Sequence, residues 1–362
     1  MNSFAEPHPL QSPLLMAMHD PVLHQFISYL TEKKAEQEAN PGVHVQIELT
    51  RGLIAQVRES FRLNILDGER RLHVLAHLLS SILLEGEFEL HSNVIGRLPG
   101  DDARPFHIRE RIPRETLFNV TDIDLGNQML DHFRYHKNDL WVPLELSANF
   151  IEYIPPSRPT TGVNRLTSRV KAEEELWNKV TDEIFALDQL VERDKHFRQY
   201  SKFVKDIFGI KIVCEDEEQC VKVHQELQSI EVGHQMAYGD LSSVDYQASS
   251  DSGKLLEFIE TKDYLHCEPL QMKKTGWRAL KSVVKWHGRL FEIQVQPLSN
   301  YYLELDHMSG QSHGSFKMRR DKLRDELAQR IPLYGFYRDL LRMLFLETNL
   351  SFDCEHASVV IK

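Results

Sequence analysis

The residues best suited to chemistry lie between Arg169 and Lys317. Glu292 stands in Phe291-Glu292-Ile293-Gln294-Val295-Gln296, where apolar and polar residues alternate. On a strand that alternation puts Glu292, Gln294 and Gln296 on one face and Phe291, Ile293 and Val295 on the other. A buried carboxylate is costly unless a cation or hydrogen-bond donors meet it, so the polar face suits either solvent or a wet cleft. Asp206 opens a second apolar strand, running to Val213; taken alone it reads as solvent-facing. Two carboxylates on adjacent strands are a usual way to hold Mg²⁺ through oxygen ligands. Between them lie Lys262-Asp263-Tyr264, then Lys273, Lys274, Trp277, Arg278 and Lys281. An aromatic among cations can stack a flat base while the cations take phosphates. A core tryptophan beside a turn, with lysines as solvated rim, is an equal reading of that segment.

The elements that must position these groups follow from periodicity. Leu176, Val180, Ile184 and Leu187 recur at helical spacing and predict a helix from Ala172 to Leu190. Arg169 and Lys171 precede it and Lys179 lies within it, so the positive end of the helix adds to their potential. A helix from Glu217 to Leu227 follows the Asp206 strand, and residues 233–253 read as a polar loop. Lys281–Trp286 and Arg289–Gln296 read as a hairpin turning at His287-Gly288. The C-terminal region reads as helix, charged from Lys317 to Arg330 and apolar and aromatic from Tyr334 to Leu346.

The first half of the chain carries less chemistry. Helices are expected over Pro21–Gln37 and Leu72–Leu84, the second ended by Gly86, with strands at Val43–Leu49, Phe88–Ile95 and Trp141–Ile154. His73 and His77 share a helix face at i, i+4 but lack the glutamate of the zinc-protease pattern, so partly buried or surface histidines are the plainer reading. His19-Asp20, and the group His132, His136 and Asp139, have no supporting pattern. The run Tyr153-Ile154-Pro155-Pro156-Ser157-Arg158-Pro159 is the strongest linker signal in the chain. The expected organisation is therefore α+β: a separate mixed α/β domain over residues 1–155, a sheet flanked by helices over 156–330, and a helical extension over 331–362.

Composition narrows the function class. The 362 residues are 41% apolar, enough for ordinary globular cores, and the net charge of −11 argues against broad, non-specific nucleic-acid binding. The four cysteines have no paired zinc spacing, and a reduced, cytoplasmic protein is the plain expectation. No apolar run is long enough to cross a bilayer, and no secretory signal is evident at the start.

The order of the motifs in residues 169–317 resembles the synthetase domain of the RelA/SpoT family, the alarmone (p)ppGpp pyrophosphokinases and their toxin relatives. Arg169-Val170-Lys171 and Lys179 resemble the family's Arg-x-Lys segment and helix lysine, which hold ATP phosphates. Asp206-Ile207-Phe208-Gly209-Ile210-Lys211-Ile212 resembles its D-x-x-G-I-R-I strand, and Lys262-Asp263-Tyr264-Leu265 its K-D-Y-I element. Gly276-Trp277-Arg278-Ala279-Leu280-Lys281 stands where the family has G-Y-R-S-L-H after an asparagine, and Glu292-Ile293-Gln294-Val295-Gln296 resembles E-I-Q-I-R. Asp306-His307 falls near a later Glu-His. Thr275, Lys281 and Gln296 depart from the family's asparagine, histidine and arginine, mostly on the acceptor side.

The resemblance implies a nucleotidyltransferase-like sheet and transfer of pyrophosphate from ATP to the 3′-hydroxyl of GDP, GTP, another nucleotide or a tRNA end. It implies Mg²⁺ held by Asp206 and Glu292, both catalytic; Arg169, Lys171 and Lys179 on ATP; and Lys262, Lys273, Trp277, Lys281 and Gln294 on the acceptor. A catalytically lapsed nucleotide sensor or partner-binding protein is the alternative. Lys317, Arg319, Arg320 and Arg324 form a cationic run that could hold RNA phosphates, although a solvated helix face is the plainer reading.

Overall fold

The computed structural model describes residues 20–40, 43–98, 105–137, 140–170, 177, 180–182, 184–185, 207–231, 253–266, 277–309, 324–345 and 357–362. The chain divides into two compact units, each assembled from separate stretches of sequence.

The first unit takes residues 1–67, 171–205 and 314–362. Helix α1, Pro21–Ala39, starts at Asp20, whose side chain accepts the N–H groups of Val22 and Leu23 and so satisfies two orphan donors. Ser60 and Asn64 donate to the other oxygen of Asp20, which makes it a cap and a brace. Strand β1, Val45–Leu49, pairs in parallel with the C-terminal strand Ala357–Ile361. Helix α2, Arg51–Leu83, follows β1 and continues into the second unit. Leu23, Phe26, Leu30, Phe61 and Trp177 are buried in the first unit, as are Tyr334, Tyr337 and Leu340.

The second unit, residues 68–170 and 206–313, is built on one eight-stranded sheet. Its strands are β2 (Glu89–Arg97), β3 (Pro105–Arg111), β6 (Glu145–Ile154), β7 (Val163–Val170), β8 (Phe208–Cys214), β9 (Glu257–Asp263), β10 (Leu280–Trp286) and β11 (Arg289–Pro297). The order is β3-β2-β6-β7-β8-β11-β10-β9; the β8–β11 pair is parallel and every other pair antiparallel, so the sheet is mixed. A small hairpin of β4 (Tyr135–Lys137) and β5 (Leu140–Val142) stands apart from it. The β10–β11 hairpin turns at His287 and Gly288, both with positive φ, the geometry that matches the twist of the flanking strands.

One face of the sheet is apolar and packed. Phe208, Ile210, Ile212, Ile293 and Val295 point to it and are buried. Helix α3 (Asp122–Asp131) covers β2 and β6, and helix α4 (Glu217–Ser229) covers β8, β10 and β11. Gly68 of α2 meets the Phe208 ring so closely that a Cβ there would overlap it, so only glycine lets the helix approach. Helix α5, Leu298–Ser309, crosses the opposite face. Helix α6, Pro332–Phe345, belongs to the first unit.

The architecture is the expected α+β arrangement of a mixed sheet flanked by helices, but the expected separate domain before residue 156 is corrected. The Pro-rich run joins β6 to β7, and those strands pair directly. Its prolines mark a connection between neighbouring strands, and the sheet runs straight through. The stretch after residue 330 is likewise no detached helical extension: α6 lies in the first unit, and residues 357–361 pair with β1.

Candidate functional site

Register places the chemistry on the open face. Side chains paired across a sheet share a face, so one row can be followed through all eight strands. It reads Arg111, His91, Glu152, Thr167, Lys211, Gln294, Lys281 and Lys262. The next row on that face reads Arg169, Gly209, Glu292, Val283 and Glu260. Every residue of both rows except Thr167, Gly209 and Val283 carries a charged, amide or imidazole side chain, and that makes this face the candidate site.

Glu292 is 2% exposed. Gln294 donates to one carboxylate oxygen, and the Lys281 ammonium is in ion-pair contact with the other. That second oxygen accepts no well-aligned hydrogen bond. Beside Glu292 lies Gly209, and beyond it Arg169, so their backbones are two strand spacings, roughly 10 Å, apart. A Cβ at position 209 would meet, among the described residues, nothing nearer than the Arg169 carbonyl at 4.0 Å. The row thus has a slot at Gly209, with Glu292 on the strand to one side and Arg169 on the strand to the other.

Helix α5 closes the far end of the face. Glu304 accepts from Lys211 at 2.7 Å, Gln296 at 2.9 Å and the Trp277 indole at 2.7 Å. Burial alone would raise its pKa, but Lys211 and these donors hold the carboxyl below its ordinary range. Gln296 is fully buried and also accepts from Asn300, so it ties α5 to β11. Further along, Glu152 meets Arg109 at 2.9 Å, Arg165 at 3.2 Å and the Tyr301 hydroxyl.

The sequence-predicted residues divide accordingly. Glu292, Gln294, Lys281, Lys262 and Arg169 come together on this face. Lys262 is half-exposed and pairs with Glu260 at 3.0 Å. Trp277 is half-buried, edge-on to Tyr264 with centroids 5.5 Å apart, and fixed by Glu304. It is neither a fully buried core residue nor loose on the surface. Arg278 braces the segment, contacting Glu217 at 2.5 Å and the Leu265 carbonyl at 2.7 Å. Asp263 folds the chain locally by accepting the N–H groups of Leu265 and His266. Asp206, Lys171, Lys179, Lys273, Lys317, Arg319 and Arg320 lie outside the described residues, as do the side chains of Asp306 and His307.

Arg324 requires a correction. It is 3% exposed and pairs with Asp182 at 3.0 Å, so it is a buried structural cation of the first unit and no phosphate contact. Asp182 also accepts from Tyr334. Glu152 and Glu304 were missed by sequence reasoning. Glu304 sits one helical turn after Asn300, the i, i+4 spacing that lets both reach Gln296 on the neighbouring strand.

No family model matches the chain, and no curated protein matches it. Solved structures do. The small alarmone synthetase 1 from Bacillus subtilis matches at 16% identity, over 52% of this chain and 78% of its own, with a TM-score of 0.25. A GTP pyrophosphokinase family protein from Streptococcus pneumoniae matches at 16% identity, over 52% and 74%, with a TM-score of 0.26. The Bacillus subtilis synthetase bound to its product pppGpp matches at 14% identity, over 51% and 73%, with a TM-score of 0.22. In these comparisons the chain is similar to small alarmone synthetases and GTP pyrophosphokinase family proteins, the group its motif order resembles. No described helix is long and apolar enough to cross a membrane.

Proposed function

We propose that the chain transfers the pyrophosphate group of ATP to the 3′-hydroxyl of a nucleotide, with a guanine nucleotide as the first acceptor to test. The observation that carries this reading is the row Arg169–Gly209–Glu292: a buried carboxylate and an arginine on one sheet face, on the strands either side of a glycine. The family resemblance of the motifs points the same way.

In this reaction the acceptor 3′-oxygen attacks the β-phosphorus of ATP. The bond from that phosphorus to the α,β-bridging oxygen breaks, AMP leaves, and the acceptor proton passes to a base. Glu292 is the base in this reading, because it is the carboxylate that borders the slot at Gly209. Arg169 stabilises charge on the transferred phosphates, and a guanidinium suits that task through its planar fork of donors. Trp277, held by the same Glu304 that meets Lys211, offers a ring for the acceptor base.

Magnesium fits Glu292 as one oxygen ligand, since the ion typically takes one or two carboxylates and completes its shell with phosphates and water. Asp206 is the proposed second carboxylate. When bound, the ion would neutralise charge on the ATP phosphates.

A second reading is favoured by the Lys281–Glu292 ion pair, which occupies the proposed base. It makes the chain a nucleotide-binding protein without transfer. Incubation with γ-labelled ATP and, separately, GDP, GTP, adenine nucleotides and deacylated tRNA separates the two. Label on an acceptor with release of AMP supports transfer; nucleotide binding without labelled product supports the lapsed enzyme.

A further inference from the structure

On the packed side of the sheet, α2 and α3 bring three ionisable groups together. Glu69 and His73 are one turn apart on α2, and Asp122 is the first residue of α3. Glu69 is 6% exposed, His73 0% and Asp122 3%. The His73 Nε2 atom is 3.1 Å from Asp122 Oδ1 and 3.9 Å from Glu69 Oε1, and the three candidate ligand atoms all lie within 4.8 Å of one another. Glu69 Oε1 also accepts the Asp122 backbone N–H at 2.5 Å, and Asn149 donates to the Asp122 carbonyl at 2.7 Å, so the backbone here is fixed.

The side chains are not satisfied in the same way. Neither ring nitrogen of His73 and neither carboxylate oxygen of Asp122 has a well-aligned hydrogen bond. His73 Nε2 and Asp122 Oδ1 face each other at 3.1 Å, but a cluster with several such buried atoms is unusual, because one left unsatisfied normally costs about 1–3 kcal/mol. The charges are also unbalanced. Two carboxyl groups face one imidazole, so the buried cluster holds more acid than base, an excess that a divalent cation would offset.

We propose that Glu69, His73 and Asp122 bind one divalent transition-metal ion of the zinc or manganese class. One imidazole nitrogen with two carboxylate oxygens suits these ions better than magnesium or calcium, which prefer oxygen alone. Metal–ligand bonds of about 2.0–2.2 Å need ligand atoms roughly 3–3.5 Å apart. The His73–Asp122 edge already has that spacing, and the His73–Glu69 edge needs only a small side-chain rotation. The ion would staple α2 to α3 behind β2 and β6, on the face opposite Glu292. His77 takes no part: it packs against the Phe88 ring, with centroids 5.0 Å apart.

The test uses the full chain. Its metal content is measured by mass spectrometry after purification without chelator. Chelator-stripped protein is then titrated with Zn²⁺, Mn²⁺ and Co²⁺ while the melting temperature and the visible cobalt spectrum are followed. The expected result is about one ion per chain, a melting temperature that rises with added metal, and cobalt bands in the visible. Asp122→Asn and Glu69→Gln, close in shape to the originals, should weaken metal binding by more than about tenfold. A wild-type chain that retains no metal and shows neither a melting shift nor cobalt bands overturns the proposal. So does an Asp122→Asn chain that binds as tightly as wild type. Should either variant fail to fold, the wild-type titration alone decides.

Discussion

Two glutamates on the same sheet face invite comparison. Glu152 is 1% exposed and Glu292 is 2% exposed, so burial does not separate them. Their partners do. Glu152 is held by three groups, two guanidiniums and the Tyr301 hydroxyl. Glu292 is held by two, the Lys281 ammonium and the Gln294 amide, and borders the slot over Gly209. A carboxylate gripped by three groups from three elements fixes structure; one held by two, beside a glycine, has more room to take a ligand or a proton. What marks a site here is lighter holding next to space.

The largest expected effect sharpens that contrast. Glu292→Gln should lower pyrophosphate transfer by roughly 10²–10⁴-fold, the usual worth of a general base. Its melting temperature should fall less than that of Glu152→Gln, because it gives up one ion pair where Glu152 gives up two. Near-normal turnover in a labelled-ATP assay would remove Glu292 from the chemistry.

Glu152→Gln should do the reverse. It leaves Arg109 and Arg165 facing an amide, and breaking a buried pair costs about 3–5 kcal/mol. Denaturant unfolding should register that loss, while activity per folded molecule changes little. If unfolding is unaffected but transfer fails, the two glutamates have been assigned the wrong way round.

Trp277→Ala should come next, raising the acceptor KM by the equivalent of about 1–3 kcal/mol with little change for ATP. Trp277→Phe should recover much of this, less the hydrogen bond to Glu304, worth about 0.5–1.5 kcal/mol. A fall in melting temperature without selective loss of acceptor binding would make Trp277 a packing residue.

Gly209→Val probes the slot itself. The new side chain meets little among the described residues, and valine favours strands, so stability should hold or rise. Transfer should fall by about tenfold, because small misplacements of bound phosphates are enough to slow the reaction. Unchanged kinetics would show that the slot is not used.

The smallest effect concerns acid. The Glu304 carboxyl is held below its ordinary value of 4.5 by Lys211 and its hydrogen bonds, despite burial. Its contribution to stability is therefore present above that value and lost as pH falls through the depressed one. As pH falls below 4.5, wild type should lose more stability than Glu304→Gln. Parallel unfolding curves would show the Lys211 pair to be neutral for folding.

Local features were legible in the sequence where a local rule decides them. The hairpin at His287-Gly288 follows from turn chemistry, and the polar face of Glu292 and Gln294 from alternation. The continuity of the sheet was not legible, because a proline-rich turn between adjacent strands looks the same as a linker between domains. Arg324 was misread because its partner, Asp182, is 142 residues away in sequence. The polar cluster of Glu69 and His73 was half visible: the i, i+4 spacing suggests a shared helix face, but Asp122 arrives from another helix. Glu152 could not be singled out, since its three partners come from β3, β7 and α5.

The pairing of β1 with residues 357–361 sets a constraint in time. Val45 waits for Ala357 and Leu49 for Ile361, so the parallel ladder that completes the first unit closes across nearly the whole chain. Contacts so distant in sequence form slowly, since the intervening loop must be closed before they repay its entropy. On the ribosome, β1 emerges with an unpaired edge and an apolar face more than 300 residues before its partner. That interval exposes the nascent chain to wrong pairing, and a chaperone that shields the early strand should raise the yield of folded protein more than one that acts after release.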